Sequence, residues 1–273
     1  MWASNPNFVQ KTVDCVAFLA KKVGDKINIL EVMNEPAAFL GDDFTNVLKQ
    51  YYVDTYNVIR RTVGNNMGVM ISDGFRGLDV STPTRIRFQT LGSTYPTVLE
   101  RFLRRSWIPR NVNGHRTRRI SSGSGTITDR HLQQHMYQIF SNRELSRTFD
   151  QHIQYACTLG QTFVDFQSSG IWLVSGEWSN ALTDCAKWLN GRGVGARWEG
   201  KWGSASDQHF FASCDGYTGD SSTFSKDYKD QMRKYFEVQV EIGERVQGWV
   251  FWTWKVRSSS GFPESYWLRP VTG

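Results

Sequence analysis

The chain of 273 residues lacks any apolar run long enough to cross a membrane as a helix, so no membrane partner is expected. Its first residues, Met1-Trp2-Ala3-Ser4-Asn5-Pro6, carry neither a basic stretch nor an apolar core, and no secretion signal is expected there. Cysteine is scarce: Cys15, Cys157, Cys185 and Cys214 show no paired metal spacing, which argues against zinc, and no metal is expected. Lysine is missing from one long stretch. Between Arg76 and Gln134 there are 11 Arg, no Lys and only Asp79, Glu100 and Asp129 as acids, a local balance of +8 against −2 for the remainder. The net charge of +6 therefore belongs to one segment, and a nucleic-acid partner is not expected.

What is present is organised around Ile27-Asn28-Ile29-Leu30-Glu31-Val32-Met33-Asn34-Glu35-Pro36, an apolar, largely β-branched stretch that ends in a polar pair and is stopped by proline. A second stretch, Ile171-Trp172-Leu173-Val174-Ser175-Gly176-Glu177-Trp178-Ser179, is again an apolar run that delivers a glutamate into a loop. Parallel α/β barrels keep their chemistry at the carboxyl ends of strands, and two carboxylates are what acid/base plus nucleophilic cleavage of a glycosidic bond requires.

Helical spacing over 7–23 and about 43–63 alternates with strands at 27–33 and 68–72. The alternation predicts a parallel sheet with crossover helices. Cys15 falls on the apolar face of the first helix and is expected to be buried. From about Asp79 to Gln134 neither period persists. That segment reads as a basic lid or polyanion-binding insert on the functional side; a disordered or non-native insert weighs more. Order returns with a strand at 135–139. Ser141 and Glu144 form a capping box that opens a helix to about Phe166. The strand carrying Glu177 follows, then a short helix through Leu189, a Gly- and aromatic-rich loop over 190–223, a helix over 226–243 and a strand at 248–253. Cys185 and Cys214 flank that loop and can close it if the chain is exported, although spacing alone does not set the pairing.

Asn34 can hydrogen-bond a sugar 2-hydroxyl while Glu35, its pKa raised by burial and a second carboxylate, protonates the leaving oxygen. Glu177 is the candidate nucleophile. His135 and Tyr137, two apart on one strand, share a face, with Tyr137 able to hydrogen-bond the nucleophile and His135 a substrate hydroxyl. Among the 11 Trp most must be core; Trp252 is the best candidate for a sugar-stacking platform, with Trp249, Trp254, Trp198, Trp202 and Phe140 behind it.

Four motifs in order, Leu30-Glu31-Val32-Met33-Asn34-Glu35-Pro36, His135-Met136-Tyr137-Gln138-Ile139-Phe140-Ser141, Gly176-Glu177-Trp178-Ser179 with Thr183-Asp184-Cys185-Ala186-Lys187-Trp188-Leu189-Asn190-Gly191, and Gly248-Trp249-Val250-Phe251-Trp252-Thr253-Trp254-Lys255, resemble the exo-β-1,3-glucanases of glycoside hydrolase family 5. The resemblance covers about 5–78 and 135–256. It implies an α/β fold, a (β/α)8 TIM barrel, with retention of configuration, no cofactor, Glu35 as acid/base and Glu177 as nucleophile. By position it places Asn34, His135, Tyr137, Phe140 and Trp252 around the glucose pocket, with β-1,3-glucan as substrate, a monomeric state and an extracellular or cell-wall location. Family members carry three further strands before the first one here, so five of the eight β/α units are expected in one partial barrel domain over 1–273. The family reads Asp-Thr-His where this chain has Gln133-Gln134-His135, which suggests that the insert replaced native sequence. The family's C-terminal cysteine has no counterpart after Cys214, so Cys157 is expected to lack a partner. The alternatives are an inactive fragment that at most binds glucan and a polyanion-binding module built on 79–134.

Overall fold

The computed structural model describes residues 2–64, 67–78, 131–167 and 171–253; most of the Arg-rich segment, 79–130, lies outside these, as do Trp254 and Lys255. Contacts divide the chain into two compact units, Met1–Gln133 with Phe166–Trp172, and Gln134–Asp165 with Leu173–Gly273.

In the first unit, α1 (Pro6–Val23) starts where Asn5 accepts a hydrogen bond from the Asn7 N–H and Pro6 presets the first helical φ. Its buried face is Val13, Val16 and Ala20. Cys15 lies about 200° round the helix from Val13 and is exposed, so the expected buried thiol is corrected. α1 ends at Gly24. A Cβ there would meet the Ala20 carbonyl at 2.5 Å and Val63 Cγ1 at 2.6 Å, so glycine lets the end of the second helix pass close by.

That second helix, α2 (Asp42–Val63), buries Leu48, Tyr51, Tyr52, Thr55 and Ile59. Each large apolar side chain so buried contributes about 1.5–3 kcal/mol. Between the two helices comes β1 (Ile29–Glu31), shorter than expected, and after α2 comes β2 (Gly68–Ser72), as expected. The Tyr51 hydroxyl donates to the Val32 carbonyl at 2.6 Å and the Tyr52 hydroxyl to the Ser72 carbonyl at 3.2 Å, pinning α2 to the carboxyl ends of both strands. Burial, aided at Tyr52 by the charge of Glu31, pushes both phenols well above their ordinary pKa and keeps them donors.

The next strand, β3 (His131–Met136), begins four residues before the expected one. Met70, Ile71 and Ser72 of β2 pair in parallel with His131, Leu132 and Gln133, and β1 pairs in parallel with β2 at Ile29 with Gly68, Leu30 with Val69 and Glu31 with Met70. Polar His131 and Gln133 hide this strand from a reading by apolar pattern, yet both are buried. Gln133 Nε2 donates to Glu31 Oε1 at 2.5 Å, reaching past β2 as side chains of alternate strands do inside a barrel. Gln133 and Gln134 are therefore strand residues, and the insert does not extend to 134.

In the second unit the Ser141 capping box forms as expected: the Glu144 N–H donates to Ser141 Oγ at 3.2 Å, and Ser141 Oγ–H donates to Glu144 Oε2 at 3.0 Å. The helix it opens is one turn long, α3 (Asn142–Leu145), and α4 (Phe149–Phe166) starts afresh. The correction has a local cause. Thr148 and Gln151 make a second capping box, with the Thr148 N–H donating to Gln151 Oε1 at 2.8 Å and the Gln151 N–H to Thr148 Oγ1 at 3.3 Å.

β4 (Trp172–Trp178) runs two residues further than expected, so Glu177 is a strand residue. The expected helix through Leu189 is instead a series of turns. They wrap the buried Asp184 carboxylate, which accepts from the Arg197 N–H at 2.7 Å, the Trp198 N–H at 3.0 Å and Asn190 Nδ2 at 2.8 Å. Cys185 and Cys214 are joined, 29 residues apart, while Cys157 is a free, exposed thiol. α5 (Lys226–Glu244) and β5 (Trp249–Phe251) complete the described chain, β5 parallel to β4. Trp178 is fully buried among Phe236, Trp249 and Phe251, with ring centroids 4.8 to 5.6 Å away.

Strands and helices thus alternate, and the pairings of β1 with β2, β2 with β3 and β4 with β5 are all parallel. This is the α/β architecture of an incomplete (β/α)8 barrel, with five strands among the described residues.

Candidate active site

Strand alternation explains why Glu177 points where it does. Trp178 turns to the helix side and is locked there by three aromatic rings, so its neighbour must face the other way. On that face the Tyr137 hydroxyl donates to Glu177 Oε1 at 2.6 Å, a short bond of the charge-assisted kind. His135 Nδ1 stands 3.8 Å from Glu177 Oε2, too far for a hydrogen bond and near enough for an electrostatic contact. The His135 side chain is 4% exposed and that of Glu177 17%, so the carboxylate is screened but open to a ligand on one side. Phe140, an exposed residue, sets its ring edge-on to Tyr137 with centroids 5.5 Å apart. His135, Tyr137, Phe140 and Glu177 therefore come together within the second unit.

Trp252 follows β5 directly, its N–H donating to the Trp178 carbonyl at 2.8 Å, and its side chain is exposed, as a stacking platform must be. Other aromatics are already engaged. Trp249 packs on Trp178, Trp198 lies parallel to Phe211 at 5.5 Å, and Trp202 carries the Arg197 guanidinium at 3.7 Å.

Asn34 and Glu35 belong to the first unit, just past β1, and both are exposed. The burial expected to make Glu35 a stronger proton holder is not found among the described residues. Glu35 has φ 43°, in the left-handed region that costs a non-glycine residue about 1–2 kcal/mol. What holds it there is its surroundings. Pro36 and Ala38 are buried, and Gly74, itself at φ 63°, brings the turn after β2 so close that a Cβ would lie 2.9 Å from the Ala38 Cβ. Glu31, an acid in an otherwise apolar strand, and its partner Gln133 are not among the residues that the sequence singled out.

No protein-family model matches the chain. It is similar to a glucan 1,3-beta-glucosidase of Schwanniomyces occidentalis, 31% identical over 259 residues, and to one of Candida oleophila, 32% identical over 258; the alignments cover 93% and 92% of this chain and 50% of each relative. A glucan 1,3-beta-glucosidase of Kluyveromyces lactis is 42% identical over 129 residues, 47% of this chain and 29% of that one. Among solved structures, the chain is similar to the endo-glycoceramidase II of Rhodococcus sp., with 96% of this chain and 42% of that one covered at a TM-score of 0.41 and 12% identity. The chain is thus similar in sequence to fungal glucan 1,3-beta-glucosidases, and it spans about half the length of the curated relatives it matches.

Proposed function

We propose that the chain carries the catalytic pair of a retaining hydrolase of β-1,3-glucan that releases glucose from chain ends. In this reading Glu177 attacks the anomeric carbon while Glu35 protonates the leaving oxygen; Glu35 then takes a proton from the water that releases the sugar. Asn34 and His135 hold substrate hydroxyls, Phe140 and Trp252 offer faces to the sugar rings, and Tyr137 orients the nucleophile. The observation that carries the reading is the 2.6 Å bond from Tyr137 to Glu177, which fixes a partly open carboxylate at a strand end. The disulfide between Cys185 and Cys214 supports work in an oxidising compartment, outside the cell or in its wall.

The test is release of aryl alcohol from an aryl β-glucoside by the 273-residue chain. Loss of turnover in Glu177→Ala and in Glu35→Gln is expected, and ordinary activity in either variant would sink the assignment. A second reading, glucan binding without turnover, draws on the exposure of Glu35. Binding of laminari-oligosaccharides by a chain that hydrolyses no aryl glucoside would favour it.

A further inference from the structure

Tyr137 lies one residue past the end of β3, where the strand no longer sets the chain, yet its hydroxyl meets Glu177 Oε1 at 2.6 Å. The interior of the second unit holds the segment 137–140 from behind. Ile139 is buried in an apolar cluster with Leu145 and Ala181, against which Tyr137 also packs, and the Phe140 N–H donates to Glu144 Oε2 at 3.0 Å. Between Tyr137 and Ile139, Gln138 turns a buried amide into the core.

Every hydrogen-bonding capacity of that amide is used. Its Nε2 donates to the His152 carbonyl at 3.1 Å and to the Tyr235 hydroxyl at 2.8 Å, while Oε1 accepts from Arg147 Nη1 at 3.0 Å and lies 3.1 Å from His152 Nδ1. The amide can sit only this way round, because a guanidinium only donates and a carbonyl only accepts. The same logic puts the ring hydrogen of neutral His152 on Nδ1, since Oε1 offers lone pairs alone. One side chain is thereby tied to α4 through His152, to α5 through Tyr235 and to the turn before α4 through Arg147, whose guanidinium is itself held 4.0 Å over the Tyr155 ring.

We propose that Gln138 is a positioning residue for the nucleophile: through the main chain it holds the adjacent Tyr137 so that the phenol reaches Glu177. The inference rests on the reading of Glu177 as nucleophile given above. Successive side chains of an extended segment point to opposite sides, so an amide anchored inward turns Tyr137 the other way. An apolar side chain of the same length fills the space but ties nothing. Gln138 touches no substrate in this role, so its loss acts on the rate at which bound sugar reacts and leaves binding alone.

The experiment is a double-mutant cycle on the full chain with an aryl β-glucoside. Gln138→Met keeps the length and removes the whole set of bonds; it should lower kcat roughly 10- to 100-fold with KM unchanged. Gln138→Glu keeps the shape and the bonds from Arg147 and His152, and should recover part of that loss. Tyr137→Phe should lower kcat as well, and Gln138→Met added to it should cost less than about twofold more, because the hydroxyl that Gln138 positions is already gone. Tyr235→Phe, which removes one partner and leaves the amide in place, should lower kcat by a smaller factor that is likewise absent in Tyr137→Phe, and it serves the same cycle if Gln138→Met does not fold. Losses that multiply in the double variants, or a raised KM with kcat intact, overturn the proposal and leave Gln138 a support of the fold alone. A second readout needs no turnover: fluorine NMR of the full chain with a ring-fluorinated tyrosine in place of Tyr137. Its resonance should be single in the parent and broadened or split in Gln138→Met or Tyr235→Phe; an unchanged single resonance overturns the proposal. A parent without turnover whose resonance responds in this way fails as a hydrolase and keeps the positioning of Tyr137 by Gln138.

Discussion

Glu177 and Glu35 both stand at the carboxyl ends of strands, yet the two units treat them differently. Glu177 is held by a 2.6 Å hydrogen bond, screened by His135 and flanked by a fully buried tryptophan. Glu35 is exposed on a left-handed backbone, positioned by the packing of Pro36 and Ala38 behind it. The roles proposed for them make different demands, since a nucleophile must be aimed at one carbon whereas a proton donor must later serve a water.

The largest expected effect tests that contrast directly. If Glu177 is the nucleophile proposed above, Glu177→Ala should lower turnover by on the order of 10³-fold or more on every glucoside, because it removes the group that forms the glycosyl intermediate. Glu35→Gln should depend on the leaving group. With a poor one the loss should be on the order of 10²–10⁴-fold, and with a good aryl leaving group the glycosylation step should be nearly spared, measurable as a burst of aryl alcohol. Equal losses in both variants across a leaving-group series would break the comparison.

The second unit is also the one with a covalent staple. Closing the 29-residue loop between Cys185 and Cys214 should contribute about 3–4 kcal/mol by restricting the unfolded chain. Cys185→Ser with Cys214→Ser should therefore raise hydrogen exchange around Asp184 and Trp198 and leave α1 and α2 protected. Uniform loss of protection in both units would show that they are not separately stabilised.

Slightly smaller is the effect of acid on the same unit. His152 is buried, its Nδ1 3.1 Å from Gln138 Oε1; Gln138 also accepts from Arg147 Nη1 at 3.0 Å and donates to the Tyr235 hydroxyl at 2.8 Å. Burial first, and then the charge of Arg147, pull the His152 pKa down to about 4. The folded state thus favours the neutral ring, and the unfolded chain binds the proton more readily. The contribution is whole above the ordinary histidine pKa of about 6.5, is lost as pH falls from there to about 4, and is flat below; it amounts to at most about 3 kcal/mol. Denaturant unfolding across that range should show the decline, and His152→Phe should abolish its pH dependence. A decline unchanged in the variant would assign it elsewhere.

These differences also explain what could be read from the chain alone. α2, α5 and β2 were legible because their apolar periods are carried by the residues that the structure buries, Leu48, Tyr51 and Ile59 among them. The Ser141 capping box was legible because it is local in sequence. β3 was misplaced because its first half is polar and its position is set by pairing with β2, a contact between residues some sixty positions apart. The turns over 181–190 imitate a helix in composition, and only the Asp184 hub and the disulfide, both reaching to distant residues, make them turns. Of the candidate site, the position of the two glutamates at strand ends and the hydrogen bond from Tyr137 to Glu177 were legible, while the exposure and backbone strain of Glu35 depend on Gly74, which approaches from another strand.

That strain gives the smallest and most local prediction. At φ 43° a side chain with a Cβ pays about 1–2 kcal/mol that glycine does not, although glycine also leaves the unfolded chain more freedom. Comparing Glu35→Gly with Glu35→Ala removes the carboxylate from both and leaves the backbone as the difference. The glycine variant should be the more stable by about 1 kcal/mol, since its entropic cost of ordering offsets only part of the relief. Both should lack general-acid activity to the same degree. If alanine matches or exceeds glycine in stability, the turn relaxes around residue 35 and the first unit does not hold its glutamate in a preset position. If glycine wins, the position is imposed by Pro36, Ala38 and Gly74, and the two units reach a fixed carboxylate by different means, one by a hydrogen bond to the side chain and the other by constraint of the main chain.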